Sequence, residues 1–128
     1  MDRLFLEDLK DLDLKEIYDH IRDQWYSDKN FDADIRGKYD ILIAYESVGS
    51  WGCDSTGFFL LRGKKDKKLY EVHGSHCSCN GFEDQFEPEE TSLEYLQSDK
   101  FSVGFGGYDS NSEENHKTIT EYIKRLKK

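Results

Sequence analysis

The segment from residue 39 to residue 73 constrains the fold most, because it contains three apolar stretches joined by short connections. Residues 39–46, 56–62 and 68–73 are rich in aliphatic, aromatic and β-branched side chains, which is typical of β-strands. The connection 63–67 has the length and composition of a hairpin loop. Since consecutive strands with short connections usually pair, the sequence predicts an antiparallel three-stranded meander.

The apolar pattern within these stretches predicts how the sheet is covered. Strand alternation places Ile41 and Ile43 on one face and Leu42 near the other. The stretch 56–62 is apolar on both faces, which indicates a central strand. We expect helices to cover one face of this sheet.

Helical segments flank the predicted sheet on both sides in the sequence. Asp13 and Glu16 have the spacing of a capping box, and an apolar stripe follows up to Trp25. Residues 91–94 form a second capping box before a short helix, and residues 110–113 precede a last helix. The apolar stripe of this last helix consists of Ile119, Tyr122, Ile123 and Leu126.

The remaining segments are less regular. Residues 4–9 form either a short helix or an extended arm, residues 27–38 form a loop, and residues 101–108 form a further strand. The whole pattern predicts an α+β fold in a single domain spanning residues 1–128. A small antiparallel sheet of three to four strands would pack against the N- and C-terminal helices.

The charge of the chain restricts its partners. A net charge of −9 repels nucleic acid and anionic membranes and favours basic protein surfaces. No apolar run approaches the roughly 20 residues that span a bilayer, and the first residues do not resemble a secretion signal. We therefore expect a cytoplasmic protein with no direct nucleic-acid or membrane partner. The sequence leaves the oligomeric state open.

The charges are also distributed unevenly along the chain. Residues 64–68 form a basic tip, whereas residues 69–99 contain many acids and no Lys or Arg. A block of like charges is commonly a solvated face, and the alternative is a patch that engages a cationic partner. The candidate partner-binding residues are Trp51, Phe82, Glu83, Asp84, Phe86, Glu87, Glu89 and Glu90. For the aromatic members of this set, a minor core is the alternative.

Most of the His and Cys residues lie close together in the sequence. Thiolates and imidazoles are ligands that zinc prefers, so zinc is the candidate cofactor. The candidate metal ligands are His73, His76, Cys77, Cys79 and Cys53. We place His73 at the end of the third strand and the next three candidates in the turn after it. Because Cys-x-Cys is tighter than the usual zinc knuckle, a turn in which the cysteines pack as small apolar side chains is the alternative.

A third interpretation of the same segment is a nucleophilic site. Cys77 or Cys79 would be activated by a histidine, and an acid such as Asp54 or Glu46 would orient the imidazole. Reactive thiolates normally lie near cations or helix N-termini, whereas this neighbourhood is acidic. The sequence therefore identifies no catalytic residue.

The string Tyr-Glu-Val-His-Gly-Ser-His-Cys-Ser-Cys at 70–79, with residues 45–54, 81–83 and 86–91, resembles a group of small bacteriophage and prophage proteins. The likeness spans residues 39–108, and the His-Gly-Ser-His-Cys-Ser-Cys string is its most specific part. The resemblance implies a phage context and the cytoplasm of a host cell, and it supplies no catalytic residues.

Phage genes of this size often encode host-takeover or counter-defence factors. Together with the acidity of the chain, the resemblance leads us to expect a non-enzymatic accessory protein that binds a host protein with a basic surface. It would act as a counter-defence inhibitor or a nucleic-acid mimic. The alternative is a small zinc- or thiol-dependent enzyme centred on the His/Cys cluster.

Overall fold

The computed structural model describes residues 3–26, 30–47, 55–76, 86–98, 100–101 and 112–126. Its strands are β1 (Leu4–Glu7), β2 (Tyr39–Ser47), β3 (Ser55–Gly63), β4 (Leu69–His76) and β5 (Glu89–Thr91). Its helices are α1 (Leu14–Gln24), α2 (Leu93–Leu96) and α3 (Ser112–Arg125), with a π-helical segment over Asp32–Arg36. The predicted α+β class is confirmed. The sheet has five strands rather than three to four.

The strands lie in the order β1-β2-β3-β4-β5. Strands β2, β3 and β4 pair antiparallel in chain order, as predicted for the three-stranded meander, and β5 extends it by pairing antiparallel with β4. Strand β1 pairs in parallel with β2, and α1 lies in the connection between them. Parallel neighbours need such a crossover because a tight turn reverses the chain direction. The sheet is therefore mixed, and the first apolar segment is an edge strand.

Helices cover both faces of the sheet, so the expectation of one covered face is wrong. On one face, Ile17 and Ile21 of α1, with Trp25 directly after it, pack against Phe59 and other strand residues. On the other face, α2 and α3 pack against the strands. That second core contains Leu42, Ile43, Tyr45, Phe58, Leu60, Leu96, Ile119, Tyr122, Ile123 and Leu126. A central strand that is apolar on both faces requires a cover on each of them.

A β-bulge in β2 changes which side chains share a face. The register with β3 shifts between Ile41 and Ile43, where one extra residue of β2 is inserted. Ile41 therefore packs in the core under α1, whereas Leu42 and Ile43 both pack in the core under α3. The prediction that Ile41 and Ile43 share a face is wrong for this reason.

The helix starts agree with the sequence to within one residue. The Asp13 carboxylate accepts from the Glu16 N–H at 2.8 Å, and the Glu16 carboxylate accepts from the Asp13 N–H at 3.1 Å. The predicted first capping box is thus confirmed. Helix α2 is capped by Ser92, whose Oγ accepts from the Tyr95 N–H at 3.1 Å. Thr91, which we expected to begin this capping box, instead ends β5.

The predicted loop over 27–38 and the predicted strand over 101–108 are described only in part. The predicted loop over 27–38 contains the π-helical segment, because Phe31 and Ile35 are buried in the core under α1. The predicted strand over 101–108 lies outside the described residues except for Phe101, which is buried. No helix in the described ranges is long and apolar enough to cross a membrane.

Candidate functional site

An open groove with acidic walls lies between strands β4 and β5 and helix α2. Its volume is about 640 Å³. The groove is lined by Glu71, His73, Glu89, Glu90, Thr91, Ser92 and Tyr95. We refer to these residues as the acidic groove. Two of the predicted partner-binding residues, Glu89 and Glu90, and one predicted metal ligand, His73, therefore lie together in it.

The strand register explains how the acids come together. Glu71 of β4 lies directly opposite Glu89 of β5. Side chains of directly opposed residues share a face and have Cβ atoms about 4.5–5.5 Å apart, so a like-charge pair there is destabilising. This pair faces the side covered by α2 and α3, because Leu69, two residues before Glu71, packs in that core.

His73 is held between an acid and an aromatic ring. Its Nε2 lies 2.9 Å from a carboxylate oxygen of Glu71, and its ring centroid lies 5.0 Å from that of Phe58. The Glu71 side chain is 12 % exposed, whereas that of His73 is 44 % exposed. The imidazole is therefore reachable from solvent and orients the less exposed carboxylate behind it.

Tyr95 forms the aromatic wall of the acidic groove. Its side chain is 41 % exposed, and its ring makes an edge contact with Phe101 at 6.3 Å between centroids. The contact holds the ring beside the carboxylates while leaving one surface open. An exposed aromatic face next to carboxylates suits a Lys or Arg side chain, since a cation is attracted by both.

The other predicted partner-binding residues lie elsewhere. Glu87 is exposed but does not line the acidic groove. Phe86 is 2 % exposed and packs edge-on against Phe59, with 5.3 Å between ring centroids. Phe86 is therefore a core residue, the alternative considered for it, and not an exposed anchor. Trp51, Phe82, Glu83 and Asp84 lie outside the described residues.

The predicted metal ligands are described only in part. Strand β4 runs to His76, which pairs with Ser55, so His76 belongs to a strand and not to the turn expected there. Cys53, Cys77 and Cys79 lie outside the described ranges. Among the residues that the structure describes, no group of three or more His, Cys, Asp or Glu side chains is placed to hold a metal. The zinc hypothesis therefore depends on the remaining residues.

The sheet topology relates the segments that carry the cysteines. Segment 48–54 follows Ser47 of β2, and segment 77–85 follows His76 of β4. Ser47 pairs with Thr56, and His76 pairs with the adjacent Ser55. Ser47 and His76, the described residues that precede these two segments, therefore lie at the same end of the sheet.

A buried polar cluster at that end of the sheet was not predicted from the sequence. The Glu46 carboxylate is buried, and one of its oxygens accepts from Trp25 Nε1 at 2.8 Å and from His20 Nε2 at 2.9 Å. The hydrogen bond to Glu46 is the main cause that raises the pKa of His20, and burial opposes it. Glu46 thus orients His20, whereas His73, one of the two histidines of the nucleophilic interpretation, contacts Glu71. Trp25 and His20 lie 21 and 26 residues before Glu46 in the sequence, so no local pattern indicates these contacts.

Comparison of this chain with protein-family models, with curated proteins and with solved structures finds no match.

Proposed function

We propose that this protein acts by binding a cationic segment of another protein in the acidic groove. The observation that carries the proposal is the pair Glu71 and Glu89, which lie directly opposite each other beside the exposed ring of Tyr95. Two carboxylates directly opposite each other in a sheet repel and lower the stability of the free protein. A bound Lys or Arg cancels the repulsion between the two carboxylates. This gain contributes to the free energy of binding.

The acidic groove suits Arg better than Lys. A guanidinium donates to more than one carboxylate oxygen in a fixed planar geometry and also stacks on an aromatic ring. Glu71 and Glu89 supply the acceptors, and Tyr95 supplies the ring. His73 gives up its contact with Glu71 when the partner cation arrives, because both compete for the same carboxylate.

The charge of the whole chain supports the same function. A net charge of −9 attracts basic surfaces over a distance and speeds their association, more strongly at low salt. The resemblance to small phage proteins makes a host protein with a basic surface the expected partner. A host defence or regulatory protein that binds nucleic acid has such a surface, and the bound phage protein would block it.

The test compares two substitutions that each replace an acid with lysine and so change the net charge equally. Glu89→Lys places a cation inside the acidic groove, and Asp11→Lys makes the same charge change at an exposed position in the turn before α1. Binding of a fluorescent Arg-containing peptide is measured by polarisation at moderate salt. We expect Glu89→Lys to weaken binding about tenfold, equivalent to about 1.4 kcal/mol, and Asp11→Lys to have less than about a twofold effect.

Equal losses in the two variants would show that only the overall charge attracts the peptide. Chemical denaturation provides the folding control for both. We expect Glu89→Lys to be at least as stable as the wild type, since it replaces a repulsive pair with an attractive one.

A second candidate function is metal binding by the cysteine-bearing segments. It is supported by the strand register, because Ser47 and His76, which precede the two segments in the chain, lie at the same end of the sheet. Elemental analysis of the untagged protein should find stoichiometric zinc that is lost in Cys77→Ser. Three thiols that react freely and a protein without zinc would reject this candidate.

A further inference from the structure

A cavity of opposite charge adjoins the acidic groove. Its volume is about 430 Å³. It is lined by Arg62, Lys67, Lys68, Leu69, Thr91, Ser92 and Leu93, and we refer to it as the basic pocket. Thr91 and Ser92 line both cavities, which therefore meet where β5 passes into α2. A positive pocket is unexpected in a chain with a net charge of −9.

Two of the three cations that line the basic pocket are unpaired within the part of the chain that the structure describes. The side chains of the half-buried Arg62 and the exposed Lys67 make no hydrogen bond or ion pair with any described residue. Lys68 Nζ lies 3.3 Å from a carboxylate oxygen of Glu90. Asp66, on the same hairpin, accepts from the Tyr70 hydroxyl at 2.6 Å and from the Lys68 N–H at 2.9 Å. Its carboxylate is therefore engaged by groups other than Arg62. Asp40, which lies directly opposite Arg62 on β2, is paired with Arg3 at 2.8 Å.

This lining fits a carboxylate on an extended chain. The guanidinium of Arg62 offers paired donors that match a carboxylate, and Leu69 and Leu93 supply an apolar floor. The Ser92 oxygen accepts from the Tyr95 N–H, which leaves its hydroxyl proton free to donate. An Asp or Glu side chain satisfies both the guanidinium and the hydroxyl.

We propose that the partner segment carries both charges, with an acid in the basic pocket and a base in the acidic groove. This inference rests on the proposed function of the acidic groove. Leu69 lines the basic pocket and Glu71 lines the acidic groove, and both lie on one face of β4. They are two residues apart, a separation of about 6.8 Å. Side chains of an extended partner also share a face at every second residue, so its acid and base are two positions apart.

Three synthetic peptides test the spacing without presupposing the chain direction. The first is Gly-Asp-Ser-Arg-Ser-Asp-Gly, with acids two positions from the base on both sides. The second is its isomer Gly-Ser-Asp-Arg-Asp-Ser-Gly, with acids adjacent to the base. The third is the basic peptide Gly-Ser-Ser-Arg-Ser-Ser-Gly. Affinities are measured by NMR titration at low salt, and the two isomers have the same composition and charge.

We expect the first peptide to bind about fivefold more tightly than its isomer, as a half-buried ion pair permits. Arg62→Gln should abolish this difference while changing the affinity for the basic peptide less than about twofold. Lys65→Gln removes one charge from an exposed residue of the same hairpin outside the basic pocket. It should retain the preference.

The outcomes separate this inference from the function on which it rests. If the basic peptide binds but the isomers bind equally, or the preference persists in Arg62→Gln, the two-charge partner is rejected and the acidic groove stands. If no peptide binds, both proposals fail.

Discussion

At the scale of single residues, one buried carboxylate is paired through long-range contacts. The Glu46 carboxylate is buried, which is costly for a charge unless donors surround it. His20 of α1 and Trp25, the residue that ends this helix, supply those donors, while Glu46 belongs to β2. The helix is thus tied to the sheet by hydrogen bonds as well as by apolar packing. Two predictions concern this contact region.

Replacing Gly57 with Ala should destabilise the protein because no room exists for a side chain there. An added Cβ would lie 2.5 Å from Cζ2 and 2.6 Å from Cη2 of the buried Trp25 ring. Overpacking of this kind costs about 1–3 kcal/mol, measured as a lower urea midpoint. Trp25→Phe removes those two ring atoms, so the cost of Gly57→Ala should shrink in that background. An equal cost in both backgrounds would contradict the steric explanation.

His20 should contribute more to the free energy of unfolding at acidic pH than at alkaline pH. The pKa of His20 is raised above its ordinary value of 6.5, chiefly by the hydrogen bond to Glu46, with Asp23 and Asp8 adding to the effect. When the pKa of a histidine is higher in the folded state than in the unfolded state, the resulting stabilisation is complete at pH values below the unfolded-state pKa. It is lost as the pH rises through the folded-state pKa. His20→Asn should therefore lower the free energy of unfolding more at about pH 5.5 than at about pH 9. A loss that grows with pH would refute the assignment.

At the scale of elements, features that depend on neighbouring residues were predicted well. The β1 pairing and the bulge, which depend on contacts between separate strands, were not. The Asp13 capping box and the stripe of α1 involve neighbours in sequence, so their residue types sufficed. The parallel pairing of β1 and the bulge at Leu42 depend on how separate strands meet, which no local pattern encodes. Strand β5 has only three residues, too few for a recognisable alternation.

The first capping box gives a prediction at this scale. Asp13→Ala removes the acceptor for the Glu16 N–H and should lower the free energy of unfolding by about 1 kcal/mol. Asp11→Ala, at an exposed position two residues earlier in the sequence, is the matched control and should change stability by less than about 0.5 kcal/mol. Similar effects of the two changes would mean that the cap contributes nothing.

At the scale of the molecule, the fold turns a charged stretch of sequence into two adjoining cavities. The sequence predicted an acidic patch within residues 69–99, and Glu89 and Glu90 were among its named members. It did not predict that Glu71 would face Glu89, because that contact requires the β4–β5 register. The contributions of Arg62 and Tyr95 also depend on packing between separate elements.

The most direct test of the account maps the binding surface of the whole protein. An Arg-containing peptide is titrated into ¹⁵N-labelled protein, and amide shifts are followed by NMR. We expect the largest shifts at Glu71, His73, Glu89 and Tyr95, which line the acidic groove, and none at Asp11, Asp19 and Asp23 near α1. Shifts concentrated on the α1 surface, or spread evenly over all acidic residues, would contradict the claim that the acidic groove is the binding site.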